Sequence, residues 1–161
     1  MIVKMRIDDR LLHGQVAYSW KSALSYDAIV IANDGASKDN VRRTAMKIST
    51  PEGVRLAVRS IEDAAKLLKN PKLNRMKVFV IVSKPKDAYN VLNLIDERPS
   101  LNVGGMQKKD DKVSFSPAVF VSEEDIEYLD KIKEMGIEIE VRQVPSENKK
   151  AYEPLRNKVK F

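Results

Sequence analysis

The stretch Lys77-Val78-Phe79-Val80-Ile81-Val82-Ser83-Lys84-Pro85-Lys86-Asp87-Ala88-Tyr89-Asn90-Val91-Leu92-Asn93-Leu94-Ile95 decides the fold. After Lys77 come five apolar residues, all of them β-branched or aromatic (valines, an isoleucine and a phenylalanine), with no polar alternation. Such a run predicts a strand buried on both faces. A polar turn with a proline follows, and then Ala88, Val91, Leu92 and Ile95 fall at i, i+3, i+4 and i+7, one apolar stripe of a helix. Strand, turn and helix recur to either side. Ile2 to Ile7, Asp27 to Asn33, Val54 to Val58, Ala118 to Val121 and Ile137 to Val141 read as further strands. Val16, Trp20 and Leu24, and Val41, Ala45 and Ile48, give two more helical stripes, each expected to be buried.

Ser60 with Asp63, and Ser122 with Asp125, resemble capping boxes opening helices that carry Ile61, Ala64 and Leu68, and Ile126, Leu129 and Ile132. Strands that are apolar on both faces and joined by helical crossovers build a parallel sheet covered on both sides. The expected fold is therefore α/β: an open, mainly parallel sheet with helices on both faces, one domain over residues 1–161. Residues 99 to 117, punctuated by Pro99, Gly104, Gly105 and Pro117, read as a local hairpin or irregular insertion. The polar tail after Pro145 holds Pro154, which limits any helix, and is expected to dock late on the core or to stay partly mobile.

The 161 residues contain no cysteine, which excludes a disulfide framework, a thiolate metal site and a cysteine nucleophile. The N-terminal apolar run is broken by Lys4 and Arg6, and nothing approaches the roughly 20 apolar residues needed to span a bilayer, so a cytoplasmic protein is expected. A formal charge of +6 raises the question of nucleic acid. The basic residues are dispersed, no aromatic side chains are interleaved with them, and Glu123, Glu124, Asp125 and Glu127 interrupt the series, so a solvated surface is the better reading. With one histidine and no cysteine, zinc chemistry is disfavoured.

In an open α/β sheet, chemistry gathers outside the carboxyl ends of the strands, so the loop after the first strand is the first place to look. It reads Arg6-Ile7-Asp8-Asp9-Arg10-Leu11-Leu12-His13-Gly14-Gln15-Val16 and contains the only histidine. A helix begins at its end, and the free amides around Gly14 and Gln15 favour an anion. A neutral imidazole with a pKa near 6.5 attacks phosphorus at physiological pH and forms a labile phosphoramidate suited to relay. Arg10 is placed to neutralise phosphoryl oxygens in transit, with Arg6 close by. Asp8 either accepts a hydrogen bond from the second ring nitrogen, setting the tautomer, or anchors Arg10; Asp9 is a further candidate for orienting His13.

The string R-I-D-D-R-L-L-H-G-Q-V with Trp20 resembles the phosphorylation-site loop of the enzyme IIB component of the bacterial sugar phosphotransferase system, mannose/fructose/sorbose family. Asn33-Asp34 with Ala36 and Asp39, and Asn102-Val103-Gly104-Gly105-Met106, follow in the same order. The resemblance implies that His13 is phosphorylated at Nδ1 by a phosphohistidine of a IIA component. It then passes the group to a sugar held by membrane IIC and IID components, at the inner face of the membrane. The family's fold is an α/β domain with a largely parallel sheet, and the resemblance implies no metal or organic cofactor. Only the IIB part is matched, so the donor is expected on another chain, and an oligomer is possible.

Ser83 and Lys84, after the fourth strand, form a second candidate loop together with Asp34. The switch-point rule sets Lys84 across the crevice from His13; the alternative is that Ser83 caps the next helix and Lys84 is solvated. The competing functional class is a non-catalytic nucleotide- or nucleic-acid-binding α/β module. A dinucleotide site calls for G-x-G-x-x-G in the first strand-to-helix turn, where this chain offers only Gly14.

Overall fold

The computed structural model describes all residues 1–161. Its strands are β1 (Ile2–Asp8), β2 (Ala28–Ala32), β3 (Arg55–Arg59), β4 (Val78–Val82), β5 (Leu101–Gly105), β6 (Val113–Ser116), β7 (Val119–Val121), β8 (Ile139–Val141) and β9 (Lys150–Ala151). Its helices are α1 (Gly14–Leu24), α2 (Asp34–Ser37), α3 (Asn40–Ile48), α4 (Ile61–Leu68), α5 (Pro85–Leu94), α6 (Glu123–Glu134) and α7 (Tyr152–Lys158). The main sheet has seven strands in the order β3-β2-β4-β1-β5-β8-β9, and every pairing is parallel except that of β9 with β8. β6 and β7 form a separate antiparallel hairpin.

Pleating sorts the strand residues into two cores. Met5, Ile7, Val30, Val78, Val80 and Val82 face α4, α5 and α6, where Ala64, Leu68, Val91, Leu92, Ile126, Leu129 and Ile132 pack on them. Ile29, Ile31, Phe79 and Ile81 face the other way, against Val16, Ala17 and Trp20 of α1 and Met46 of α3. The expected two-sided sheet is what forms, because β2 and β4 carry no polar residue on either face.

Four local expectations are met or corrected. Leu101 to Val103 is not part of an insertion but the start of β5, an inner strand between β1 and β8. Ala118 to Val121 supplies β7 of the hairpin, not a strand of the parallel sheet. Asparagine and two glycines disguise β5 as a loop, whereas the structure uses them to admit neighbouring side chains. Second, Val41 and Ile48 are 80% and 79% exposed and Ala45 is exposed as well. α3 lies against the sheet margin and reaches the core through Met46 alone, so its apolar stripe faces outward.

Third, the Ser122 box is complete, with Ser122 Oγ accepting from the Asp125 amide and the Asp125 carboxylate accepting from the Ser122 amide. Ser60, by contrast, makes only the first of these bonds. Fourth, of the two courses expected for the tail, docking on the core is the one it takes. β9 adds to β8, Pro154 sits in the first turn of α7 where its missing N–H costs nothing, and buried Tyr152 donates to Asp130 Oδ1 at 2.7 Å.

β1 turns an unusual face towards α1. Lys4, Arg6 and Asp8 alternate with Met5 and Ile7, and all three polar residues are buried. Lys4 donates to Glu140 of β8, and Arg142 Nε donates to the other Glu140 oxygen at 2.5 Å. Lys4, Arg6 and Arg142 stand 5.8, 5.7 and 5.3 Å from the centre of the Trp20 ring, whose electron-rich face attracts cations. Burial raises the Glu140 pKa, but the hydrogen bonds and charges of Lys4 and Arg142 outweigh it and hold the carboxyl below its usual range. Its stabilisation is therefore complete above the unfolded value of about 4.3 and disappears as pH falls through the lower folded value. Glu140→Gln is expected to cost about 2 kcal/mol at neutral pH. In urea unfolding, the gap to wild type should be flat from pH 7 to roughly pH 5 and narrow below about pH 4.

Candidate phosphoryl-transfer site

The carboxyl end of β1 is shaped by its neighbour. Ile7 pairs with Val103, but Asp8 pairs with Gly105, so the register slips by one residue and the slip re-aims the end of the strand. The following turn is closed by a 2.8 Å bond from the Leu11 amide to the Asp8 carbonyl, with Leu11 at φ 58°. A non-glycine residue in that left-handed region costs about 1 kcal/mol. Complete burial of Leu11 and Leu12 at 0% and 4% exposure offsets it. Those two leucines sink into the α1 core and leave Arg10 and His13 on the outer side.

Asp8 is the hub. Its side chain is wholly buried, Oδ2 accepts from Arg6 at 3.0 Å and lies 3.0 Å from His13 Nε2, and Oδ1 accepts from the Arg10 amide at 3.0 Å. The Arg10 guanidinium stands 4.0 Å from Oδ1 and is half-exposed. Asp8 thus contacts both His13 and Arg10. Asp9 does not orient His13, since its carboxylate accepts from the Gln107 amide at 2.6 Å and ties the loop to the strand end of β5.

A carboxylate only accepts, so the proton on His13 sits on Nε2 and Nδ1 carries the lone pair. The imidazole is 25% exposed. His13 is also the N-cap of α1, with extended backbone and no side-chain bond to the helix amides. The amides of Gly14, Gln15 and Val16 consequently have no intrahelical partner, and no acidic side chain occupies the first turn. A Cβ at Gly14 would meet nothing within 4 Å, so open space lies beside those amides. Lone pair, free amides and the Arg10 cation together suit a nucleophile beside an anion site.

Arg6 is placed differently from Arg10. It is fully buried and reaches the site only through Asp8, while its other nitrogen donates to Asn102 Oδ1 at 2.7 Å and to the Gln143 carbonyl at 2.9 Å. Burial lowers its pKa and the Asp8 charge counters that; an arginine stays protonated regardless. Its Nε has no hydrogen-bond partner. A Cβ on Gly104 would lie 2.0 Å from the guanidinium, and one on Gly105 3.4 Å from Asp8 Oδ1. The Gly-Gly pair is the space in which the ion pair sits. Asn102 closes the ring by donating to the Arg142 carbonyl at 3.0 Å.

The second candidate loop is near but not joined. β4 is hydrogen-bonded to β1, so Ser83 and Lys84 emerge beside the His13 loop, and the helices after β1 and β4 cover opposite faces, as a switch point requires. No hydrogen bond or ion pair links either residue to His13. Ser83 is not the cap of α5; Lys84 is the N-cap residue, exposed and unpaired, with Pro85 behind it. Ser83 accepts from Asn33 at 3.1 Å and donates to Asp87 at 3.2 Å. Asp34 turns to the Ile61 amide and anchors the start of α4.

Lys4, Glu140, Arg142 and Gln143 were not legible as site residues. Lys4 and Glu140 are charged residues within strands whose neighbouring residues are apolar, which is the one signal that marks them. Beside Arg10 an open cleft of about 360 Å³ is bounded by Asp9, Met106, Gln107, Lys108, Phe120 and Gln143. No group of three or more histidine, cysteine or carboxylate side chains is arranged to hold a metal ion. No helix is long and apolar enough to cross a membrane.

Comparison with known proteins agrees with this geometry. The family described as "PTS system sorbose subfamily IIB component" matches residues 2–161. A probable phosphotransferase enzyme IIB component of Streptococcus pyogenes serotype M6 is 36% identical over 131 residues, 78% of this chain and 80% of that protein. The mannose-specific EIIAB component of Escherichia coli K12 is 35% identical over 89% of this chain, which spans 45% of that longer protein. The crystal structure of the IIBSor domain of the Klebsiella pneumoniae sorbose permease superposes with a TM-score of 0.94 at 30% identity, covering 100% of this chain and 99% of that one. The nucleotide- or nucleic-acid-binding alternative finds no support in any of these. The chain belongs to the sorbose/mannose family of enzyme IIB components, the phosphotransferases of sugar uptake by the phosphotransferase system.

Proposed function

We propose that His13 Nδ1 is the phosphoryl carrier of this IIB component and acts as a protein-phosphohistidine–sugar phosphotransferase. The observation that carries the reading is the 3.0 Å contact of His13 Nε2 with buried Asp8. It leaves Nδ1 as the free nucleophilic nitrogen. The Nδ1 lone pair attacks phosphorus of a phosphohistidine on a IIA partner, and the donor P–N bond breaks with its electron pair returning to the donor ring. In the second transfer a sugar hydroxyl attacks the phosphorus and releases its proton to solvent, and the pair of the Nδ1–P bond returns to His13. Positive charge that builds on the ring while it is phosphorylated is stabilised by the Asp8 carboxylate through Nε2–H.

Arg10 and the amides of Gly14 and Gln15 are assigned to the phosphoryl oxygens. Arg6 is assigned to positioning, since it holds Asp8 and is itself buried. The transfer needs no metal or organic cofactor, because the charge in transit is met by Arg10 and the helix terminus. Lys84, exposed beside β1 and without an ion pair, is assigned to the approach of the anionic donor. Asp34, bound to the start of α4, supports the neighbouring loop. IIA, the membrane IIC and IID components and the sugar are the partners the family implies, with the chain working at the inner membrane face through IIC and IID.

Incubation with phosphoenolpyruvate, the general phosphotransferase proteins and a matching IIA component should add one acid-labile phosphate, read by intact mass. His13→Gln should abolish it while changing stability by less than about 1 kcal/mol; retained phosphate would move the carrier elsewhere. Arg10→Ala should slow transfer roughly 100-fold in rapid-quench kinetics, with the unfolding midpoint unchanged. Gly104→Ala, which drives a methyl group into Arg6, should cost about 2–3 kcal/mol in chemical unfolding. It should also slow transfer although residue 104 does not touch the phosphate.

A further inference from the structure

β3 is the outermost strand on one side of the main sheet, three strands from β1 and its loop, and the phosphoryl site makes no use of it. Its pairing with β2 uses the odd-numbered residues. The Arg55 amide donates to Asp27, and the Arg59 carbonyl accepts from Asn33. Alternation along the strand then turns the N–H and C=O groups of Leu56 and Val58 outward. The only bond formed by any of these outward groups that is not part of the β2–β3 ladder is from the Arg59 guanidinium to the Val58 carbonyl, at 3.0 Å. An uncovered edge is a template for another strand.

The two faces beside that edge differ. On the α3 side runs an open cleft of about 570 Å³, floored by Val54, Leu56 and Val58 and walled by Arg43, Thr44 and Lys47, with no carboxylate in its lining. On the α4 side is a smaller cleft of about 230 Å³, where Ala57 meets Leu67, Leu73 and Met76, with Arg55 and Arg59 at its rim. Arg43, Lys47, Arg55 and Arg59 are all exposed, and none forms an ion pair. Residues 38–59 hold six basic residues against two acidic ones, hence four of the chain's six net positive charges.

We propose that the β3 edge is a docking edge for an extended segment of another protein whose residues alternate acidic and apolar. Its main chain bonds to Leu56 and Val58. Its acidic side chains enter the basic cleft by Arg43 and Lys47, and its apolar ones settle against Leu67, Leu73 and Met76. A second copy of this chain does not fit. Antiparallel pairing of β3 with itself over its full length sets Arg55 opposite Arg59 at both ends, and like charges directly opposite are destabilising.

The test uses two blocked octapeptides, one of alternating glutamate and valine and one of alternating lysine and valine, added to the full chain and followed by amide NMR and hydrogen exchange. The glutamate peptide should bind and slow exchange of the Leu56 and Val58 amides at least tenfold, and the lysine peptide should not bind. Arg43→Glu with Lys47→Glu should weaken binding at least tenfold. Leu56→Pro removes the outward N–H together with the leucine side chain and should abolish binding, whereas Leu56→Val, which changes the side chain and keeps the N–H, should bind within threefold of wild type. If Leu56→Pro does not fold, the exchange pattern and the charge reversal decide. No binding of the glutamate peptide, equal binding of both peptides, or shifts at Arg43 and Lys47 without protection of Leu56 and Val58 would each overturn the proposal. Protection that rises with protein concentration in the absence of peptide would overturn it in favour of a self-paired edge.

Discussion

The ion pair between Arg6 and Asp8 organises this molecule. Both side chains are fully buried at the end of an inner strand, where taking two charges out of water costs several kcal/mol per ion before their attraction is counted. Such a pair is a poor source of stability. What it supplies is geometry, because each partner is tied further: Arg6 through its outer nitrogens to Asn102 and the Gln143 carbonyl, Asp8 to His13 and the Arg10 amide. The backbone around it conforms. Gly104 and Gly105 lack side chains where those side chains would collide or crowd, and the register of β1 against β5 slips at Asp8.

From that pair outward, charge is layered by exposure. Lys4, Glu140 and the partly buried Arg142 form a second charged group beside Trp20, so three cations, Lys4, Arg6 and Arg142, stand near the indole ring, and its N–H donates at 3.4 Å to the Gln143 carbonyl that Arg6 also uses. Arg10 alone is half out in solvent. The division of labour follows from solvation. A buried arginine is held rigid and can position its neighbours, whereas an exposed one can meet an anion that arrives and leaves.

The fold supplies the rest through its crossovers. The α1 helix after β1 and the α5 helix after β4 lie on opposite faces of adjacent strands, which opens the sheet edge where His13 stands. Exposure of α3 has a related origin: at the margin of the sheet a helix has core on one side only, and Met46 suffices to hold it. An apolar period of 3.6 marks a helix, and it marks the buried face only where a sheet lies beneath that face.

Helices, most inner strands and the His13 loop were legible because their signals are local: apolar runs, helical spacing, capping serines and a lone histidine between charges. The resemblance of that loop to enzyme IIB rests on the same contiguous residues. The true course of β5, the hairpin of β6 and β7 and the docked tail depend on which distant segment lies alongside, and glycine or proline signals do not carry that information. So too with the site: proximity in sequence brought Asp8, Arg10 and His13 together. The choice of Asp8 over Asp9, the burial of Arg6 and the placement of Gln143 belong to tertiary structure, because hydrogen-bond valence is satisfied by neighbours about a hundred residues away.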